Sequence, residues 1–231
     1  MILTAPSTFV VGGGREVVHV RCSTLRDGDF HLEGDPVALA HRQQAFTPGE
    51  WTQLDEVHGA AVVRVDQPGQ HDGAPADGAV SRVAGCVLSV WVGDCAPLAF
   101  VGEHGVIGVA HAGWRGAVDG VVQATVAAMH GLGSGEVTVL LGPCIHPCCY
   151  EFGHDDLAAL AERFGEGVVA RTSWGSEALS LPSLVRVAVA DAGATFVDRS
   201  ACTRCHPEAW FSHRRGQRGR QVVTVTKMAA V

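Results

Sequence analysis

Residues 86–119 read CVLSVWVGDCAPLAFVGEHGVIGVAHAGWRGAVD, and this stretch decides the fold class. It contains short, valine-rich apolar runs bounded by glycine, proline and aspartate, and these runs lie at 86–92, 98–101 and 106–110. Runs of this length between turn residues predict buried strands. After the motif HAGWRG, the sequence predicts a helix over 117–129. Buried strands are therefore joined here by turns that carry Asp, Cys and His.

Residues 83–102 are apolar enough to imitate a membrane span, but Asp94 and Pro97 favour two buried strands joined by a turn. The start MILTAPSTFVVGGGREV lacks the basic and apolar segments of a signal peptide. We therefore expect a cytoplasmic protein that does not bind membranes.

The chain has 17 Lys+Arg against 24 Asp+Glu and a formal net charge of −7, which argues against nucleic-acid binding and favours a small ligand.

Outside this stretch the sequence predicts more strands than helices. Further strands are predicted at 17–21, 60–65, 137–141 and 222–226, and further helices at 155–164 and 181–192. Because 47% of the residues are hydrophobic and no repeat or linker divides the chain, we expect a single domain over 1–231. This excess of strands does not fit strict βαβ alternation, so the predicted fold class is α+β, a mixed α/β fold with mixed sheets. The GGG at 12–14 is predicted as a turn, not a nucleotide loop, because no helix pattern follows.

Three predicted strand ends each carry a candidate metal ligand. His58 precedes one strand, Cys95 follows a second and His111 follows a third. Two imidazoles and a thiolate suit zinc, and a zinc ion with three protein ligands keeps its fourth position for water, as in catalytic sites. The alternative interpretation is that all three are partly buried polar residues at strand ends.

The turn at 111–116 adds a candidate anion site. Its glycines, which include Gly113, would let backbone N–H groups approach a ligand where the next helix begins, and Arg115 could close such a pocket. A tight turn with Trp114 packed in the core is the alternative interpretation of the same residues.

The cysteines, eight in total, are more consistent with thiols or metal ligands than with disulfides, because no export signal is evident. Cys148 or Cys149 could form a second zinc site with Cys202 and Cys205. Because the sequence shows no complete four-ligand spacing, reduced structural thiols are the preferred interpretation. The segment CTRCH at 202–206 also matches the c-type haem attachment spacing, which the expected cytoplasmic location disfavours.

Six motifs, in this order, resemble the YfiH-type laccase-domain proteins, also called multicopper polyphenol oxidoreductases: LDEVHGAAV, DGAVS, VGDCAP, GVAHAGWRG, LGPCIHPCCYEFG and CTRCHPEAWFSHRRGQRGR. The resemblance covers residues 50–226. It implies a layered sandwich of mixed sheets with flanking helices. It also implies zinc ligation by His58, Cys95 and His111, with copper as an alternative metal at the same ligands. The implied reaction is phosphorolysis of adenosine, inosine, guanosine or methylthioadenosine to the base and a ribose 1-phosphate, with adenosine deamination as a second activity.

These reactions assign roles to further residues. Asp94, which adjoins a predicted ligand, is a candidate proton donor to the ammonia that leaves in deamination, or else a carboxylate that orients a ligand. Phosphorolysis needs guanidinium groups that hold phosphate below the sugar. Arg42 and Arg115 are the first candidates for this role, with Arg214 and Arg215 behind them.

The segment 22–42 departs from the pattern of the family that it resembles. Only Gly34, Asp35, Pro36 and Arg42 match clearly, and the rest of the segment is shortened. If this segment shapes the ribose or phosphate pocket, the substrate range or the rate differs from that of typical members.

Other functions remain open at this point. A copper-dependent polyphenol oxidase needs an axial Met and a histidine-rich cluster, but the sequence has 3 Met and no closely alternating histidines around a Cys. A metal-free hydrolase or deamidase would use Cys95 as nucleophile and His111 as base, and would leave His58 without a role. A metal-storing protein would bind metal without turnover. The expected partners are a purine nucleoside and phosphate, and the few helices leave sheet surface free for a homodimer.

Overall fold

The computed structural model describes residues 7–11 and 16–229, so the glycine turn predicted at 12–14 lies outside the described residues. In chain order the strands are β1 (Ser7–Val11), β2 (Glu16–Cys22), β3 (Glu50–Gln53), β4 (Val62–Arg64), β5 (Gly78–Ser81), β6 (Cys86–Val92), β7 (Ala96–Gly102), β8 (Ile107–Ala112), β9 (Val137–Leu141), β10 (Val169–Arg171), β11 (Glu177–Leu179), β12 (Thr195–Asp198) and β13 (Gln221–Ala229). The helices are α1 (Pro36–Phe46), α2 (Trp114–Asp119), α3 (Val121–Gly131), α4 (His154–Phe164) and α5 (Leu181–Asp191).

Most strands belong to two mixed sheets. The five-stranded sheet has the order β1-β2-β13-β6-β3, and only β3 and β6 pair in parallel. The six-stranded sheet has the order β12-β9-β7-β8-β5-β4, with parallel pairs at its two edges. Strands β10 and β11 form a separate two-stranded ribbon. Mixed pairing with few crossover helices confirms the predicted fold class.

The two sheets pack face to face, and helices cover their outer faces. Leu88 and Val225 of the five-stranded sheet meet Ile107 and Val109 of the six-stranded sheet in one buried apolar cluster. A second cluster joins the other face of the six-stranded sheet to helices α2 to α5. A third places α1 on the outer face of the five-stranded sheet. The alternation of apolar residues along these strands therefore produces a four-layer sandwich.

Strands β6 and β7 follow each other in the chain but lie in different sheets. The short turn between them, which contains Asp94 and Cys95, therefore crosses from one sheet to the other. This arrangement confirms that residues 83–102 form two buried strands joined by a turn. Within the described ranges, every helix is too short or too polar to span a lipid bilayer.

Two sequence predictions near the site were wrong in detail. The helix predicted over 117–129 is two helices, α2 and α3, because Gly120 adopts a left-handed conformation with φ 93° that interrupts them. His111 lies within β8 and not after it, since its backbone pairs with Pro97 of β7. Helix α1 was not predicted, although Asp35 caps it by accepting hydrogen bonds from the backbone of its first turn.

Candidate active site

Three predicted metal ligands lie together in the structure. The candidate ligand atoms of His58, Cys95 and His111 all lie within 4.8 Å of one another. Cys95 Sγ is 3.9 Å from His58 Nε2. The two imidazole rings are nearly perpendicular, with centroids 4.7 Å apart. His58 comes from the loop before β4, Cys95 from the turn between the sheets, and His111 from β8, so the fold joins three segments distant in sequence.

Asp77, immediately before β5, holds both histidines in place. Its Oδ1 accepts a hydrogen bond from the backbone N–H of His58 at 2.9 Å and lies 2.9 Å from His111 Nδ1. Its Oδ2 accepts from the backbone N–H of Gly59 at 2.7 Å. A proton on Nδ1 that is donated to Asp77 leaves the Nε2 lone pair of His111 available to a metal. His58 has a left-handed backbone with φ 62°, and the bond to Asp77 stabilises this conformation.

The cluster favours a thiolate beside a charged imidazole. Burial alone would raise the pKa of Cys95, but His111 and His58 outweigh burial and lower that pKa to about 6. Burial opposes the charge on His111, but Glu56, Cys95 and Asp77 together raise the pKa of His111 well above its usual range. Zinc and copper bind the thiolate and the neutral imidazole, so a metal that binds here displaces the Nε2 proton of His111.

Replacement of Asp77 by asparagine is expected to weaken metal binding about 10- to 100-fold. The neutral amide has only one acceptor oxygen, so it cannot replace both carboxylate oxygens, which together contact His111 Nδ1 and the backbone N–H groups of His58 and Gly59. Competition with a coloured chelator measures the affinity. The matched control is Asp55→Asn, an exposed carboxylate in the same loop region. Equal affinity in the wild type and Asp77→Asn would contradict this role.

Glu56 is a site residue that sequence analysis missed. Its Oε1 accepts a hydrogen bond from the backbone N–H of Trp91 at 2.7 Å, and its side chain lines the same cavity as the three ligands. Burial raises the pKa of the Glu56 carboxyl to about 8, against the opposing effects of His111 and the Trp91 N–H. A carboxyl of this kind can hold a proton near neutral pH and release it. Its position two residues before His58, within the motif LDEVHGAAV, could have identified it.

The three ligands line a cavity of about 390 Å³, a size typical of small-molecule sites. Two further groups of side chains line it. The apolar and aromatic group contains Trp91, Val92, Trp114, Ile145, Tyr150 and Leu181. The group of basic residues contains Arg115, His213, Arg214 and Arg220. The cavity thus combines flat apolar surfaces with positive charge beside the candidate metal ligands.

Two of these arginines stack on aromatic rings. The Arg115 guanidinium carbon lies 4.5 Å from the ring centroid of Trp114, and that of Arg214 lies 5.0 Å from the ring centroid of Tyr150. Phe152 packs edge-on against both rings. Stacking leaves the edge of the Arg115 guanidinium for an anion. Arg214 Nη2 also donates to the Glu151 carbonyl oxygen at 3.4 Å, and its other N–H groups remain for an anion. The structure therefore brings Arg115 and Arg214 of the predicted residues to the cavity.

Arg42 and Arg215 do not line this cavity. Arg42 Nη1 donates to the Asp29 carbonyl oxygen at 2.8 Å, beside Gly28. Arg215 donates to the carbonyl oxygens of Thr203, Arg204 and Trp210. Both guanidinium groups are directed at backbone carbonyls, so each stabilises a loop. The prediction that they hold phosphate is not supported by their positions.

The Asp94 carboxylate also has a different set of contacts from the predicted ones. Its Oδ1 accepts from Thr203 Oγ1 at 2.5 Å, and its Oδ2 accepts from Ser212 Oγ at 3.1 Å and from the backbone N–H of Arg214 at 2.7 Å. These bonds connect the turn that carries Cys95 to the segment that carries Arg214. Asp94 lines the cavity, but the carboxylate within hydrogen-bond distance of a candidate ligand side chain is that of Asp77.

Gly113, predicted as an anion-binding position, lies against two of the candidate metal ligands. A Cβ atom at this position would be 3.2 Å from Cys95 Sγ and 3.2 Å from His58 Cδ2. The close approach explains why a residue without a side chain follows β8. Helix α2 begins at the next residue, and Gly113 is its N-cap.

A family model described as "Multi-copper polyphenol oxidoreductase laccase" matches residues 35–227. The chain belongs to this family. A family relative from Xylella fastidiosa (strain Temecula1), named purine nucleoside phosphorylase, is 38% identical over 183 residues, which cover 74% of this chain and 70% of that protein. Adenosine deaminase RL5, from an unknown prokaryotic organism, is 31% identical over 148 residues, or 60% of this chain and 56% of that protein. The crystal structure of YlmD from Geobacillus stearothermophilus shares the fold, with a TM-score of 0.79, 24% identity and 92% coverage of both chains.

Proposed function

We propose that this protein is a zinc-dependent purine nucleoside phosphorylase of the cytoplasm, with adenosine deamination as a second activity. Its proposed substrates are adenosine, inosine, guanosine and methylthioadenosine, together with phosphate. The proposal rests on one observation: His58, Cys95 and His111 lie close together in the wall of a cavity that is also lined by aromatic side chains and arginines. The names of the Xylella relative and of RL5 support both reactions.

The residues present fit a zinc ion, since two imidazole nitrogens and a thiol are grouped and Asp77 orients one imidazole. When bound by three protein ligands, zinc supplies a Lewis acid and an open position that activates water. Copper would accept the same ligands. Among the described residues, however, the other group of metal-binding side chains is entirely cysteine, so the histidine-rich cluster that laccase chemistry needs is not found there.

Phosphorolysis requires that the bond between C1′ and the purine nitrogen breaks while a phosphate oxygen forms a bond to C1′. Positive charge develops on the sugar during this step, and the leaving base takes up a proton. We propose that Trp114 and Tyr150 contact the purine or the sugar through their rings, while Arg115 and Arg214 bind phosphate. Glu56 is the proposed proton donor, because its carboxyl group lines the cavity beside the candidate ligands.

Incubation of adenosine with and without phosphate, followed by chromatography, tests the proposal. Adenine and ribose 1-phosphate are expected only when phosphate is present, and inosine is expected in both reactions. The absence of both adenine and inosine from a protein that contains zinc would overturn the proposed function. Adenine formed equally well without phosphate would indicate a hydrolase instead.

Replacement of Arg115 by alanine is expected to raise the KM for phosphate about 10-fold or more, because one charge-assisted contact to the anion is lost. The rate of inosine formation is expected to stay within a factor of about 3, since deamination uses no phosphate. Initial rates at varied phosphate concentrations measure both quantities. The matched control is Arg163→Ala, which removes an arginine that stacks on Phe164 at 5.0 Å in helix α4. An unchanged KM in Arg115→Ala would exclude this arginine from phosphate binding.

A further inference from the structure

A second group of metal-binding side chains lies outside the proposed active site. Four cysteines have sulfur atoms that all lie within 4.8 Å of one another, and they are Cys148, Cys149, Cys202 and Cys205. Cys205 Sγ lies 3.4 Å from Cys149 Sγ and 3.6 Å from Cys148 Sγ. All four are free thiols. The sequence shows no complete four-ligand spacing, which favoured reduced structural thiols, and the fold now brings all four cysteines together.

The spacing of these sulfur atoms fits a tetrahedral metal ion. A zinc–sulfur distance of about 2.3 Å places the sulfurs of a tetrahedral site about 3.8 Å apart. The two sulfur–sulfur distances given above are slightly shorter than this value, and every other pair of sulfurs in the cluster is within 4.8 Å. Cys202 and Cys205 also have the C-x₂-C spacing that is common in structural zinc sites.

The backbone holds the cysteine turns together without help from a metal. The Thr203 N–H donates to the Cys144 carbonyl oxygen at 3.0 Å, and the Cys205 N–H donates to that of Cys202 at 3.2 Å. On the other side, the Ser173 N–H donates to the Cys148 carbonyl oxygen at 3.0 Å. Ligands that are positioned before binding lose little conformational entropy when the metal binds.

Positive charge lies close to the cluster. Four thiolates and one zinc ion have a net charge of −2, which needs compensation when it is partly buried. Arg215 provides a guanidinium group bonded to the carbonyl oxygens of Thr203 and Arg204, both between the two cysteines of the C-x₂-C pair. This placement gives Arg215, which does not line the active-site cavity, a function in the same turn.

We infer that Cys148, Cys149, Cys202 and Cys205 bind one structural zinc ion, with all four coordination positions filled by sulfur. The ion would join the segment that leads into Tyr150 to the segment whose Thr203 bonds to Asp94 beside Cys95. Tyr150 and Asp94 both line the active-site cavity. The site would stabilise that cavity without contacting the substrate, and it stands independently of the proposed reaction.

The test separates the two sites by metal content. The protein, purified under reducing conditions without a metal-affinity tag, is expected to contain two zinc ions per chain, whereas His58→Asn is expected to contain one. Zinc-edge X-ray absorption of His58→Asn is expected to show four sulfur neighbours at about 2.3 Å and no nitrogen. The double variant C202S/C205S is expected to lose the zinc ion that His58→Asn retains. The matched control is Cys144→Ala, a buried cysteine outside the cluster that is expected to leave both ions in place.

Two results would overturn the inference. One result is that His58→Asn contains no zinc even after equilibration with zinc, while all four thiols of the folded protein react with an alkylating reagent. The other is an absorption spectrum with nitrogen or oxygen neighbours in place of the four sulfurs. Both measurements use a chain with its four cysteines intact, so poor folding of the double variant does not affect them. Because neither depends on turnover, failure of the phosphorylase proposal would leave this result unchanged.

Discussion

His58→Asn is expected to lose the metal of the active site and to reduce kcat/KM for adenosine phosphorolysis on the order of 10³-fold or more. The imidazole of His58 is one of three candidate ligands, and asparagine is a poor substitute for it with zinc. Asparagine tolerates the left-handed conformation that His58 adopts at φ 62°. The loss should therefore reflect the missing ligand and not backbone strain. Metal analysis and initial rates on the same preparation measure it.

His104→Asn is the matched control for this variant. His104 also has a left-handed backbone, with φ 58°, and it lies in the turn between β7 and β8, at the end of these strands opposite to Cys95. The same substitution there is expected to leave metal content and rate within a factor of about 2. If His58→Asn retains both the metal and the activity, the three-ligand site cannot be the catalytic centre.

Glu56→Gln is expected to lower kcat for phosphorolysis about 10²- to 10³-fold while leaving the zinc content unchanged. The amide of glutamine can still accept the hydrogen bond that the Trp91 N–H donates to Oε1. It has the same shape as the carboxyl group but cannot exchange a proton with the substrate. The expected result is therefore a lower kcat with little change in KM, because binding surfaces are preserved.

The control for this variant is Glu162→Gln, an exposed glutamate in helix α4, which is expected to have wild-type rates. The pH profile of kcat provides an independent readout, because the profile should lose one ionisation in Glu56→Gln. A variant with normal kcat would assign the proton transfer to another group. A variant that loses zinc as well would show that Glu56 acts on the metal ligands and not on the substrate.

The elements that could be predicted from sequence are those whose patterns are dominated by burial. Strands at 86–92 and 137–141 have the predicted bounds, because both are largely apolar runs, each with a single polar residue, between turn residues. Helix α4 begins one residue before the prediction, and its apolar residues recur at helical spacing. Helix α1 was missed because few of its residues are buried, so its apolar periodicity is weak. Edge strands such as β12 were missed because they are short and half-exposed.

The part of the candidate site that could be predicted from the sequence is the set of residues whose side-chain type alone indicates metal binding. His58, Cys95 and His111 belong to the few residue types that bind zinc. Asp77 and Glu56 are ordinary carboxylates in the sequence. Only the fold shows that Asp77 is buried against His111, and that the half-buried Glu56 lines the same cavity as the candidate ligands. The reverse holds for the arginines, since Arg42 and Arg215 have the required charge but the fold directs them at backbone carbonyls.

Strand β13 lies in the middle of the five-stranded sheet, although it follows all the other described strands in the chain. Val225 pairs with Val20 of β2 on one side and with Leu88 of β6 on the other. Before residues 221–229 leave the ribosome, the sheet therefore exists only as separate pairs, β1 with β2 and β3 with β6. Pairing across such sequence distances is slow. We expect the nascent chain to assemble its six-stranded sheet first, and to complete its catalytic cavity only after synthesis of the last strand.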